Sequence, residues 1–114
     1  MNRISTHILD TAAGRPAPHV PVSLERQNSS GTWLAVGSAK TDGDGRCSQL
    51  LPDGEILEEG LYRLTFDTAT YFAACRVQGL YPLVEITFRV RGGESHFHIP
   101  LLLSPNAYTT YRGS

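Results

Sequence analysis

Only two cysteines, Cys47 and Cys75, occur in the 114 residues. So small a pair is no disulfide framework, and both read as free thiols filling small core sites. Basic residues are neither abundant nor clustered. The formal net charge is −1, which removes the electrostatic case for nucleic acid. Hydrophobic residues make up 40% of the chain, yet no apolar run approaches the ~18 residues of a membrane span. The opening MNRISTH lacks the apolar stretch of a secretory leader, so the chain as written is expected in the cytoplasm. Catalytic signatures are scarce too: there is no Gly-x-Ser-x-Gly, no cysteine beside a histidine, and the acids are scattered through turns. The length predicts one domain, residues 1–114, with a modest core and little room for an enclosed active site.

What is present alternates. Residues 3–9 (RISTHIL) place Ile4, Thr6 and Ile8 on one side and Ser5, His7 and Leu9 on the other, the period of a half-buried strand. Residues 10–18 are turn chemistry, with Gly14 and two prolines. Residues 20–26 alternate again, with Pro21 predicting an edge position or a strand start, and 33–41 read as the returning strand of a hairpin. Asp42-Gly43-Asp44-Gly45 is a tight turn, followed by a short strand over 46–51 and a loop over 52–59. Residues 61–67 and 83–91 are clear alternating strands. Between them, 68–75 is the one plausible helix, of about two turns, with Asp67 or Thr68 as its N-cap. Gly92-Gly93 turns the chain into a strand over 95–103, and Ser104-Pro105 turns it again into a last strand rich in Tyr and Thr. Seven or eight strands with one small helix predict an all-β sandwich.

Parity then separates the histidines from the core. Phe97, Ile99 and Leu101 share one face, so His96, His98 and Pro100 share the other, and His7 likewise opposes Ile4 and Ile8. Three histidines on outer faces are either free for proton transfer or ligation, or are ordinary solvated side chains. His-x-His on a strand with His7 as a third ligand would suit zinc, although nothing else in the chain supports a metal. Asp42, Asp44 and Gly45 resemble the front of a calcium loop but lack its later acidic ligand. The remaining polar set is His7, Arg46, His98 and the terminus Tyr111 to Ser114. In it an arginine could hold an anionic or carbonyl-bearing ligand and a histidine could activate water.

The stretches STHILD (5–10), DGDGR (42–46), HFHIPLLLSP (96–105) and the terminal YRGS run in an order that resembles the 5-hydroxyisourate hydrolase family, the enzyme branch of the transthyretin-like proteins. The match is essentially end to end, and the Tyr-Arg-Gly-Ser ending marks the enzyme branch. The resemblance implies a prealbumin-like (transthyretin-like) β-sandwich of about eight strands with one short helix. It also implies a homotetramer with active sites in a channel at the dimer–dimer interface. The implied reaction is hydrolytic ring opening of 5-hydroxyisourate to 2-oxo-4-hydroxy-4-carboxy-5-ureidoimidazoline, between urate and allantoin, with no cofactor and no metal. Carried over by position, His7, Arg46, His98 and Ser114 are the catalytic set, while His7, Arg46, Tyr111, Arg112 and Gly113 bind substrate. His7 and His98 would orient and deprotonate the water, and Arg46 would stabilise developing charge. Residues 111–114 of a neighbouring subunit would close the pocket, with His96 supporting. The chain departs from the family at Asn106-Ala107 and at Asp42, both in turns. Two other readings stand beside this one. A non-catalytic small-ligand carrier on the same fold would keep the channel without needing the His and Arg set, and a bare interaction sandwich would need no ordered terminus.

Overall fold

A computed structural model describes residues 2–114, and its organising strand is the first, β1 (Arg3–Asp10). Thr6, Ile4 and Ile8 point from β1 into the core and are almost fully buried, as the alternation requires. In the same sheet lie β2 (Arg15–Pro16), β5 (Arg46–Cys47), β8 (His96–His98), β9 (Leu101–Ser104) and β10 (Ala107–Thr110). The path is β10-β9-β1-β2, and β5 and β8 also pair with β1. The second sheet has the order β4-β3-β6-β7, from β3 (Pro21–Gln27), β4 (Trp33–Lys40), β6 (Gly60–Phe66) and β7 (Val84–Val90). The inner faces meet through Phe97, Leu101 and Leu103 on one side and Leu24, Leu64 and Phe66 on the other. Burial of these alternating apolar residues between two antiparallel-rich sheets is what holds the layers together.

Helix α1 (Thr68–Ala74) is capped by Asp67, whose carboxylate accepts from the Thr70 N–H at 3.0 Å and the Thr70 hydroxyl at 2.7 Å. The helix is tied to β1 by the Tyr71 hydroxyl, which donates to Asp10 Oδ2 at 2.6 Å. It is the one α-helix among the described residues, and no helix there is long and apolar enough to cross a membrane.

Three expectations need correction. The strand over 46–51 shrinks to Arg46–Cys47 because the Gln49 side chain takes over the next rungs, its Oε1 accepting from the N–H groups of Ile4 and Leu51. The strand over 95–103 is two strands, since Pro100 has no N–H to continue the ladder. Pro100 is also buried, not on the outer face with the histidines. Pro21 begins β3, which lies inside its sheet between β4 and β6, so the strand-start alternative holds and the edge alternative does not.

Candidate active site

The outer face of β1 carries Arg3, Ser5 and His7, and the strands beside it set their neighbours. Antiparallel β5 places Arg46 opposite His7. Parallel β8 places His98 opposite Ser5 and His96 opposite Arg3. Residues opposite one another on paired strands share a face, so two short strands deliver an arginine and two histidines to one side of the sheet. β5 is aimed by the turn before it. Asp42 accepts the N–H groups of Asp44 and Arg46 at 2.9 and 3.0 Å. Those two amides, that of Arg46 first, hold its carboxyl below the usual carboxylate range. Gly45 has φ +75°, and a Cβ there would lie 2.5 Å from the Ile8 carbonyl oxygen, so only glycine lets the turn close on β1.

His98 is held on two sides. Its Nδ1 is 2.8 Å from the Ser5 hydroxyl. Its ring leans over Gly113, where a Cβ would come within 2.6 Å of His98 Cδ2. The Gly113 N–H donates to the His98 carbonyl at 2.7 Å, which fastens the C-terminus along β8. Burial first, and then Arg46 and His7 nearby, lower the His98 imidazole below the ordinary histidine value, which favours its neutral form. His7 is fixed differently. Its Nε2–H donates to the Asp44 carbonyl at 2.9 Å, an oxygen that can only accept, so Nδ1 carries the lone pair whenever the ring is neutral.

A cavity of about 350 Å³ opens over this face, with Ser5, Arg46, His98, Gly113 and Ser114 in its wall. His96 and Cys47 line it as well. Cys47 is 5% exposed and belongs to the core; burial pushes its thiol up to about 11, which leaves it a poor nucleophile. His7 stands beside Arg46 but is not part of the wall. Among the described residues no three His, Cys, Asp or Glu side chains converge to hold a metal ion.

The terminal residues divide. Gly113 and Ser114 reach the cavity from the same chain that supplies His98. The Gly113–His98 bridge holds them there. Tyr111 and Arg112 do not join them. Arg112 pairs with Glu94 at 2.8 Å and lies 4.5 Å over the Phe97 ring. Tyr111, 55% exposed, lines with it a second groove of about 340 Å³ beside Ile86 and Phe88. Two parts of the site escaped sequence reasoning: Ser5 as the partner of His98, and Gly113 as the seat of its ring. Strand parity puts Ser5 on the face of His7, but the parallel register between residues 93 apart has no local signal.

The arrangement offers an imidazole, a cation and a chain terminus around one small volume, suited to adding water to a polarised carbonyl. Comparison with known proteins bears on the family. The profile of the HIUase/Transthyretin family matches residues 4–113. The 5-hydroxyisourate hydrolase of Mus musculus is 42% identical over 97% of this chain and 94% of its own length. The uric acid degradation bifunctional protein TTL of Arabidopsis thaliana is 41% identical over 97% of this chain, which spans 37% of that longer protein. Among solved structures, 5-hydroxyisourate hydrolase of Klebsiella pneumoniae superposes with a TM-score of 0.85 at 36% identity, covering 100% of both chains. Transthyretin from Sparus aurata superposes with 0.91 at 28% identity, covering 99% of this chain and 97% of its own.

Proposed function

This chain belongs to the HIUase/Transthyretin family, and from that premise we propose that it is a 5-hydroxyisourate hydrolase acting in urate degradation. The carrying observation is His98, held by Ser5 and Gly113 over a cavity that Arg46 also lines. In this reading His98 takes a proton from water as the water oxygen bonds to a ring carbonyl carbon of the substrate. Arg46 faces the negative charge that gathers on the carbonyl oxygen. The ring C–N bond then breaks, the protonated His98 returns its proton to the leaving nitrogen, and the product is 2-oxo-4-hydroxy-4-carboxy-5-ureidoimidazoline. Nothing is oxidised or reduced, so water is the one co-reactant. A positioned base of this kind is worth about 10²- to 10⁴-fold. His7, with its proton committed to the Asp44 carbonyl, orients the water or substrate through Nδ1, and Ser114 holds the substrate's polar edge.

The same reading takes residues 1–114 as one domain and the working protein as a homotetramer. Its sites lie at the dimer–dimer interface, where Tyr111 and Arg112 meet a channel completed by a neighbouring copy. The free thiols Cys47 and Cys75 fit a reducing compartment, and the cytoplasm is the proposed location. The closer backbone match to transthyretin favours a second reading, a non-catalytic carrier. Backbone likeness is blind to side chains, and a carrier has no use for His98 beside Arg46.

The test generates 5-hydroxyisourate from urate with urate oxidase and follows its ultraviolet decay with wild type and His98→Ala. Acceleration by wild type alone is expected. A folded wild type that leaves the spontaneous decay unchanged would instead establish the carrier.

A further inference from the structure

Ser5 is a polar residue on the outer face of β1, yet it is only 9% exposed. Its hydroxyl lies 2.8 Å from His98 Nδ1. An Nδ1 shielded from solvent without a partner would be costly, so this contact decides how the ring sits. We propose that Ser5 is the positioning residue that fixes the neutral His98 ring with its proton on Nδ1 and its lone pair on Nε2, facing the cavity. The inference rests on the hydrolase reading for its kinetic consequence but not for its geometry.

Three observations carry it. Ser5 and His98 stand opposite each other in the β1–β8 register, so the backbone brings hydroxyl and ring together. The ring's Cδ2 side lies against Gly113, and with Nδ1 committed to Ser5, the remaining edge, Cε1 and Nε2, is the one left for the cavity. Arg46 supplies the third. Among the described residues no carboxylate pairs with its guanidinium, and its positive charge acts on the ring from across β1. A lone pair turned toward a cation is favoured over an N–H turned the same way. Nδ1–H then donates to Ser5 Oγ, and the hydroxyl proton turns to the cavity, which Ser5 lines, where water or a substrate oxygen accepts it.

A hydroxyl suits this task better than a carboxylate. Being uncharged, it orients the ring without raising its proton affinity, and it can keep accepting from Nδ1–H after Nε2 has taken a proton. The proton therefore moves on and off Nε2 while the other side of the ring stays still.

The test uses full-length protein labelled with ¹⁵N-histidine, with imidazole nitrogen shifts reporting the tautomer, and steady-state kinetics alongside. Wild type is expected to show His98 as the Nδ1–H tautomer. Ser5→Ala is expected to show a mixture, with kcat down about tenfold, the rate equivalent of one neutral hydrogen bond, and KM nearly unchanged. Ser5→Thr keeps the hydroxyl and is expected to restore both tautomer and kcat. An Nε2–H tautomer in wild type, or Ser5→Ala keeping the wild-type tautomer and kcat, would overturn the proposal. If wild type does not hydrolyse 5-hydroxyisourate, the hydrolase reading fails, and the nitrogen shifts of the three proteins still decide the role of Ser5.

Discussion

His98 and His7 are the same residue type on one sheet face, with opposite constraints. His7 has given one nitrogen to a carbonyl that can only accept. His98 rests on a hydroxyl, and burial together with the charges of Arg46 and His7 lowers its proton affinity. Its ordinary value is 6.5, so the acid limb of the pH–rate profile should fall below that figure. Removing one cause should move it: in Arg46→Met the limb should shift upward, only part of the way because burial is the larger cause, and an NMR titration of His98 checks it. The sign for stability follows. The unfolded chain takes up the His98 proton at the ordinary value and the folded chain at a lower pH, so unfolding binds a proton in between. The contribution is intact above 6.5 and lost as pH falls through the folded value. Thermal melts across that window should therefore show a falling Tm in wild type and a flatter profile in His98→Gln. Cys47, raised to about 11, should react with a thiol reagent only after unfolding.

At the scale of elements, short pieces do the positioning. β5 has two residues and β8 has three, and neither would hold its shape apart from β1. Gly113→Ala tests the contact that closes the site, because the added methyl would meet the His98 ring. It should lower kcat by at least about tenfold, the rate equivalent of a mis-seated group, with far-ultraviolet circular dichroism unchanged. Tyr71→Phe tests the tie between α1 and β1. It removes a donor from the buried Asp10 and should cost about 1–3 kcal/mol in urea unfolding. Much of this was legible beforehand. The alternation of residues 3–9, 61–67 and 83–91 gave strands within a residue or so of those observed, and an N-cap at Asp67 or Thr68 gave the helix, with Asp67 the cap observed. The outer-face placement of His7, His96 and His98 followed from period two alone. The partners across strands were not legible. Nothing local announces that Gln49 will replace a ladder or that Ser5 will meet a residue 93 positions away, whereas Pro100, with no N–H, was a local signal of the strand break that the alternation masked.

Across the whole molecule, the cavity lies on an outer sheet face and not between the layers. A face open to solvent on one chain can exclude water once another copy covers it, which is the physical case for the proposed homotetramer. Sedimentation of the wild type should give four times the 12.5 kDa chain mass, and dilution to a lower oligomer should reduce activity per chain. Deleting residues 111–114 should leave the sandwich folded, since the core residues all precede them, but should abolish most turnover. The pairing of β1 with β8, β9 and, through His98, the last residues also fixes a schedule for biosynthesis. β1 is made well before its parallel partners β8 and β9, so one of its edges waits for them while the other can pair early with β2 and β5. The candidate site is therefore among the last parts of the described fold to become possible, since His98 and Gly113 must both be made before either can hold the other.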